Sequence, residues 1–217
     1  MRCPPFYLDP TEVRAGDYLA WLTRNGEVKD VKLPTNPDMP ATNVSWSHAA
    51  SYAEAMGKRL PDEIEFEFAA TGGGRWQLPW GEAEEPLTRM PWVIRPVGQW
   101  EPDVVRIPGQ RLAVYGLHSG PAEWTGTWGP SMQLGASRIA SSQLRVVRGA
   151  PMEAVEGKSL GGLSSKFDAR QLYYLNGDHM TGFDLPGLSF RCARSTGPRL
   201  KPVDFIRRVR AGEAPAD

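Results

Sequence analysis

Charge imbalance and long apolar runs are both missing from this 217-residue sequence. Its 25 lysines and arginines balance its 25 aspartates and glutamates, which argues against the basic surface of a nucleic-acid-binding protein. No apolar run approaches the roughly 20 residues of a membrane-spanning helix, and the first residues lack a signal-peptide pattern. We therefore expect neither nucleic acid nor membrane among the partners, and a cytoplasmic location unless a leader or a larger partner region is missing from this chain.

Cysteine is scarce, because Cys3 and Cys192 are the only two in the chain. Two cysteines so far apart cannot form a CxxC motif, a zinc site with Cys/His spacing or a framework of several disulfides. One bridge between the two ends of the chain stays open as an alternative. We favour two isolated structural thiols.

Turn-forming residues and tryptophan, by contrast, are abundant, with 23 glycines, 20 prolines and 8 tryptophans. Glycine and proline interrupt regular elements, so long helices and strands must be few. Tryptophans bury a large area without needing a long element to carry them. At this length the sequence predicts one compact domain with many loops, held together by aromatic packing.

The first quarter of the chain carries the clearest helix and strand signals. Phe6–Asp9 predicts an edge strand, and Thr11 predicts the N-cap of a helix that ends at Asn25-Gly26. A second helix is expected to begin at an N-cap of Ser47 and to end at Gly57, because its apolar residues follow a spacing of three and four.

The next segment is ambiguous. Residues 63–68 alternate between acidic and apolar side chains, a pattern that favours a strand. Pro61 followed by two acidic residues favours the first turn of a helix instead. The residues alone leave both open. In the remainder, which is rich in Gly and Pro, Val146-Val147 and Leu188–Phe190 are the best strand candidates.

Several short motifs follow one another in order along the chain. They include Asn43-Val44-Ser45-Trp46, Gly57-Lys58-Arg59-Leu60-Pro61, Pro79-Trp80-Gly81, Val114-Tyr115-Gly116-Leu117 with Ala122-Glu123-Trp124, Val146-Val147-Arg148-Gly149 and Phe190-Arg191-Cys192-Ala193-Arg194. Any one of them would be a weak signal. As a series over residues 5–195 they resemble the formylglycine-generating-enzyme-type domain, also called the sulfatase-modifying factor domain.

The resemblance implies an α+β chain of C-type-lectin-like fold, with two main helices, small twisted sheets and long ordered loops. The domain would cover residues 1–198, followed by a C-terminal tail at 199–217. The second helical stretch, 47–70, would be broken at about 57–61, which favours a helix in the ambiguous segment. The tryptophans of the motifs are expected in the core, and these are Trp46, Trp80 and Trp124.

The sequence departs from this family at the residues that carry its chemistry. Enzymes of the family oxidise a substrate cysteine through two neighbouring cysteines that bind copper, and thiolates are the ligands that select Cu(I). That pair would fall at about residues 161–170, which contain no cysteine. Cys192 matches the family's terminal structural cysteine, whereas Ala53 and Ala70 replace the usual disulfide partners on the helices. We therefore predict no catalytic residues and no formylglycine formation.

The calcium-binding loop of the family is altered as well. Gly116 and Gly120 stand where the family has Asp and Asn, which leaves Glu123 as the one obvious side-chain oxygen ligand. Calcium takes about six to eight oxygens. We expect no cofactor, with calcium held mainly by backbone carbonyls as the alternative.

In place of the cysteines and the substrate groove, this chain carries aromatic, amide and charged side chains of the kind found in recognition surfaces. The candidate ligand-binding residues are Phe167, Asp168, Arg170, Tyr173, Tyr174, Asn176, Asp178 and His179. They lack the alternation of a half-buried strand, which predicts an exposed surface. The alternative is that Tyr173 and Tyr174 merely cover a small sheet.

We therefore predict a non-catalytic module of this family that binds a protein or a small molecule through its C-terminal loops. The resemblance implies two contexts: an accessory domain of bacterial signalling proteins, and the variable protein of a diversity-generating retroelement. The alternative is a divergent enzyme related to formylglycine-generating or iron-or-copper oxidases. The sequence contains no other metal or nucleophile signature that would identify its chemistry.

Overall fold

The computed structural model describes residues 3–28, 31–73, 75, 95–99, 104–106, 113–117, 120–129, 132–134, 137–139, 144–149, 173–176 and 188–197. Their elements are, in chain order, β1 (Phe6–Leu8), α1 (Ala15–Asn25), α2 (Trp46–Ala55), α3 (Glu63–Ala70), β2 (Val104–Val105), β3 (Val114–Tyr115), β4 (Ala122–Trp128), β5 (Met132–Leu134), β6 (Ser137–Ile139), β7 (Leu144–Arg148), β8 (Tyr173–Asn176), β9 (Leu188–Ser189) and β10 (Ala193–Ser195). This is the predicted α+β class. Within these residues no helix has both the length and the apolar character needed to cross a membrane. The tail predicted at 199–217 lies outside the described residues.

Helix α1 begins later than the sequence predicts. Its N-cap is Arg14, which makes no side-chain cap, and Thr11 lies three residues earlier, in the connection from β1. That connection is tied to the C-terminal segment, because the backbone N–H of Val13 donates to Phe190 O at 2.9 Å. The predicted cap is therefore wrong. The predicted end is confirmed, since Gly26 adopts a left-handed conformation with φ of 72°.

Helix α2 begins two residues before the predicted position. Its N-cap is Ser45, whose Oγ accepts a hydrogen bond from the backbone N–H of His48 at 3.3 Å. Ser47 lies inside the first turn, and its Oγ is 3.1 Å from Ser45 Oγ, so it cannot cap the helix as predicted. Met56 ends the helix, and Gly57 follows in the left-handed region, as expected.

Helix α3 resolves the ambiguous segment. The Glu65 carboxylate accepts a hydrogen bond from the backbone N–H of Asp62 at 2.8 Å, which satisfies a donor that has no partner within the helix. Phe66 and Ala70, one helical turn apart, are both buried. A strand would bury Ile64 beside Phe66, yet Ile64 is exposed. Capping and burial thus prevail over the local alternation.

The strands form several small sheets. β1 pairs antiparallel with β10, which brings Phe6 opposite Ser195. The largest sheet has the order β8-β7-β4-β9, in which only β4 and β9 run parallel. β2 pairs with β3, and β5 pairs with β6. The predicted edge strand at Phe6–Asp9 and the predicted strands at Val146-Val147 and Leu188–Phe190 are confirmed as β1, β7 and β9.

The core contains two clusters of buried side chains. The larger, which we call the aromatic cluster, is built around Tyr18, Trp21, Tyr52 and Phe190, whose contacting rings have centroids 5.5 to 5.8 Å apart. The second packs α3 against Val105 and Leu117. Helices α1 and α2 therefore share one core with the closing strands, while α3 has its own.

The tryptophans predicted for the core have different outcomes. Trp124 is fully buried in the aromatic cluster, and its Nε1 donates to Val44 O at 2.7 Å. Trp46 is only partly buried and packs against the edge of the cluster. Trp80 lies outside the described residues. The prediction is thus confirmed for Trp124 and holds in part for Trp46.

Ion pairs surround the second cluster. Arg59 forms two hydrogen bonds of 2.6 Å with the Glu65 carboxylate. Arg148, itself buried, pairs with the carboxylates of Glu63 and Glu67 on α3. We call these pairs, with that of Arg191 described below, the arginine–carboxylate network.

Candidate recognition site

The structure places three of the predicted recognition residues on one strand. Tyr173, Tyr174 and Asn176 lie in β8, which pairs with β7 and is the last strand on its side of the described sheet. The other predicted residues lie outside the described part of the chain, and these are Phe167, Asp168, Arg170, Asp178 and His179. Residues 173–176 are thus a strand, where the sequence predicts loops. The exposure of their side chains stays a prediction.

One strand away from β8, an arginine lies between two tryptophans. Arg145 of β7 is opposite Leu175 of β8 on one side and opposite Trp128 of β4 on the other. Its guanidinium carbon is 3.2 Å from the Trp128 ring centroid and 4.0 Å from that of Trp46. We call Trp46, Trp128 and Arg145 the tryptophan–arginine stack. A guanidinium is attracted to the negative face of an aromatic ring, most strongly when it is buried, as Arg145 is.

The stack combines a fixed base with an open aromatic surface. Trp46 is anchored because its Nε1 donates to Thr125 O at 2.8 Å. Trp128 keeps 53% of its surface exposed although Arg145 holds it from beneath. A tryptophan that is already ordered loses little conformational entropy on binding, and tryptophan and arginine are enriched among the residues that contribute most to binding. The stack therefore has the chemistry of a recognition anchor.

Trp128 lies at the exposed end of β4. Burial falls along this strand, from the fully buried Trp124 to the exposed Trp128. The four-residue step between the two tryptophans is matched by only two residues of β7, from Val147 to Arg145, which marks a bulge in β4. Gly126, in the middle of β4, is the sequence signal from which this bulge could have been predicted.

A cleft of about 310 Å³ lies on another part of the surface, between the connection into α1 and helix α2. Its wall includes Asp9, Tyr52 and Lys58. Lys58 Nζ donates to both carboxylate oxygens of Asp9, at 2.7 and 2.8 Å. Because these two charges neutralise each other, the Asp9–Lys58 pair attracts a charged ligand only weakly.

Residues 1–195 match the sequence profile of the family described as "Sulfatase-modifying factor enzyme 1-like domain". The chain belongs to this family. It is 32% identical over 172 residues to "Inactive C-alpha-formylglycine-generating enzyme 2" of Mus musculus, an alignment that covers 74% of this chain and 50% of that protein. It is 46% identical over 58 residues to "Formylglycine-generating enzyme" of Thermomonospora curvata, which covers 26% of this chain and 19% of that protein.

The chain thus spans about half the length of the mouse relative, which is the longer protein. Among solved structures, "Treponema denticola variable protein 1" superposes with a TM-score of 0.50 at 16% identity, covering 87% of this chain and 84% of that one. A likeness at this identity concerns the fold alone. With the match to the sulfatase-modifying factor family, it confirms the predicted α+β, C-type-lectin-like fold.

The cysteines of this family member are not arranged for copper chemistry. Cys192 is buried, and burial, with a smaller contribution from Asp9, raises the pKa of its thiol to about 12. Such a thiol stays protonated at neutral pH, whereas metals bind the thiolate. No disulfide joins it to Cys3, in agreement with two separate thiols. Ala53 and Ala70, at the family's disulfide positions, are fully buried in the core.

Metal-binding side chains do not cluster elsewhere in the described residues. No group of three or more His, Cys, Asp or Glu side chains is placed there to hold an ion. His48, which lies near the start of α2, is exposed, and its Nδ1 is 3.1 Å from the Tyr18 hydroxyl. The two groups are within hydrogen-bonding distance.

Proposed function

We propose that this chain is a non-catalytic recognition domain of the sulfatase-modifying factor family. The observation that carries the proposal is the absence of any cysteine between Cys3 and Cys192. Copper oxidase chemistry of the family's kind needs two neighbouring thiolates, and Cys192 is a buried, protonated thiol. The mouse relative, whose name describes it as inactive, supports this reading.

We place the binding surface on the side of the large sheet that carries the tryptophan–arginine stack and β8. Trp128 offers an open, ordered aromatic face, and β8 carries Tyr173, Tyr174 and Asn176 one strand beyond Arg145. The partner would be a protein or a small molecule. The two proposed contexts are an accessory role in signalling and a variable protein of a retroelement, and the likeness in fold to a protein named as variable favours the second.

The non-catalytic part is tested by an oxidase assay. The chain is incubated with Cu(I), oxygen and a peptide of the sulfatase type, Cys-x-Pro-x-Arg, beside the formylglycine-generating enzyme of Thermomonospora curvata as the positive control. Mass spectrometry should show loss of the peptide thiol with the control enzyme alone. Reproducible aldehyde formation by this chain would contradict the proposal.

The recognition part is tested by selection from a displayed peptide library, followed by affinity measurement with two variants. Trp128→Ala should weaken binding of the selected peptides by about 30-fold, the effect of losing roughly 2 kcal/mol at a binding hot spot. Leu19→Ala, which truncates another exposed apolar residue on α1, is the matched control and should bind normally. Equal affinities for both variants would place the binding surface elsewhere.

A further inference from the structure

A buried carboxylate occupies the loop that the family resemblance assigns to calcium. A Cβ added to Gly116 would lie 2.6 Å from Glu12 Oε1, and one added to Gly120 would lie closer still to the same atom. The Glu12 side chain is 5% exposed. Its carboxylate therefore fills the space in which Asp and Asn side chains would stand at those two positions.

The other acidic side chain of this loop is held by an arginine. Arg191 Nε donates to Glu123 Oε2 at 2.7 Å, and Arg191 Nη2 donates to Glu123 Oε1 at 2.6 Å. Both side chains are fully buried. Nη2 also donates to Tyr115 O at 2.8 Å and lies 3.9 Å from Glu12 Oε2. One guanidinium thus gathers acceptors from the connection into α1, from β3 and from β4.

Calcium does not fit this arrangement. It takes about six to eight oxygens at roughly 2.3–2.6 Å, and both carboxylate oxygens of Glu123 are already bound by Arg191. A divalent cation sharing the oxygens of Glu12 and Glu123 would lie within a few ångströms of a buried guanidinium. Like charges repel strongly in a buried site, where water screens them little.

We infer that the Arg191 guanidinium, together with Glu12 and Glu123, takes the structural role of a calcium ion in this loop. The positive charge that organises the loop belongs to the chain itself. The domain therefore folds and reaches its full stability without calcium, unlike a domain whose loop oxygens depend on a bound ion.

The same arrangement accounts for glycine at position 120. Gly116 has a left-handed backbone with φ of 67°, so its residue type is favoured by conformation as well as by space. At Gly120, a Cβ would meet Glu12 Oε1 first and Gly116 O next.

Thermal unfolding of the full chain in millimolar calcium and in excess EGTA tests the inference directly. The two melting temperatures should agree. A site that is saturated far above its dissociation constant would raise the melting temperature of a domain of this size by roughly 5–10 °C. A calcium-dependent rise of that kind would overturn the inference, whatever the partner of the domain is.

A pair of alanine variants tests the role of Glu12. Gly120→Ala should lower the melting temperature, whereas Gly197→Ala, whose Cβ would meet nothing within 4 Å, should leave it nearly unchanged. In a Glu12→Ala background the effect of Gly120→Ala should shrink by at least half, because the colliding carboxylate is gone. The same loss in both backgrounds would show that Glu12 does not fill the loop. If the Glu12 variant does not fold, the calcium comparison on the unaltered chain still decides.

Discussion

Phe190 and Arg191 are consecutive residues, both fully buried, yet they belong to regions that are stabilised in different ways. The Phe190 ring contacts the rings of Tyr18 and Tyr52 in the aromatic cluster. The Arg191 guanidinium binds Glu123 in the arginine–carboxylate network. Apolar burial stabilises in proportion to area and does not depend on the exact partner, whereas a buried charge is tolerated only while its counter-charge is present. The stability of the aromatic cluster should therefore depend on side-chain volume. The stability of the arginine–carboxylate network should depend on the presence of each charged partner.

The largest effect on stability is expected in the aromatic cluster. Phe190→Ala should lower the free energy of unfolding by about 3–5 kcal/mol, the usual result of emptying a large buried aromatic site. Because no charge is involved, the loss should be the same in low and in high salt. Urea unfolding at both salt concentrations measures it, with Phe190→Leu as a milder control that keeps most of the volume. A loss that varies strongly with salt would contradict the assignment of this region as purely apolar.

A smaller loss is expected when the network loses an arginine. Arg148→Met removes the buried charge, while its partners Glu63 and Glu67 keep about 27% and 30% of their side chains exposed and can return to water. The free energy of unfolding should fall by about 1–3 kcal/mol, the value of hydrogen bonds to charged groups.

The control for this change is an arginine outside the network. Arg14→Met removes an exposed pair with Asp38, and such pairs contribute about 1 kcal/mol or less. Chemical unfolding of the two variants compares them directly. Equal losses would mean that burial of Arg148 adds nothing to the strength of its ion pairs.

Alkaline pH should lower the stability that the aromatic cluster contributes. Burial raises the pKa of Cys192 from 9.0 to about 12 and that of Tyr52 from 10.0 to about 12, so the folded state keeps both groups protonated. Their contribution to stability is complete below pH 9 and falls as the pH rises toward 12, because the unfolded chain ionises first. Unfolding measured from pH 8 to pH 11 should show this decline. In Cys192→Ala the decline should begin about one pH unit later, and a flat profile in the unaltered chain would refute the prediction.

The sequence predicts elements with local signals and misses arrangements that join distant segments. Gly26 and Gly57 mark two helix ends correctly, because a left-handed residue after a helix is a local requirement. The predicted N-cap of α1 is wrong because the chain between Thr11 and α1 is paired elsewhere, with the backbone N–H of Val13 donating to Phe190 O. That bond joins residues 177 positions apart, which no local pattern contains.

The candidate site likewise contains residues that the sequence predicts and residues that it misses. The sequence pointed to Tyr173 and Tyr174, which the structure places in an outer strand of the sheet. It did not point to Trp128 or Arg145, because their stack depends on a bulge and on pairing between β4 and β7. Trp124 and Trp128 are four residues apart in one strand, so the alternation of a strand predicts the same burial for both. Trp124 is nevertheless buried and Trp128 exposed. The difference arises from their positions along β4, where burial falls toward the end of the strand.

The smallest effects on stability are expected at the recognition surface. Trp128→Ala should lower the free energy of unfolding by about 1 kcal/mol or less, because truncating an exposed side chain leaves no cavity. The predicted exposure of Tyr173 and Tyr174 implies the same small loss for their alanine variants. Differential scanning fluorimetry of the three variants, with the buried Trp124→Ala as the reference for a core loss, provides the comparison.

Two outcomes at the tyrosines separate recognition from core packing. If Tyr173 and Tyr174 contact a partner, either alanine variant should lose about 2 kcal/mol of binding while its melting temperature stays close to that of the unaltered chain. If they are core residues, each should lose roughly 3–5 kcal/mol of folding stability, which is the loss expected of Phe190→Ala. Unchanged melting temperatures together with weaker binding would place a binding surface at β8. A large fall in the melting temperatures would assign the tyrosines to the core. Trp128 would then be the only proposed anchor of the binding surface.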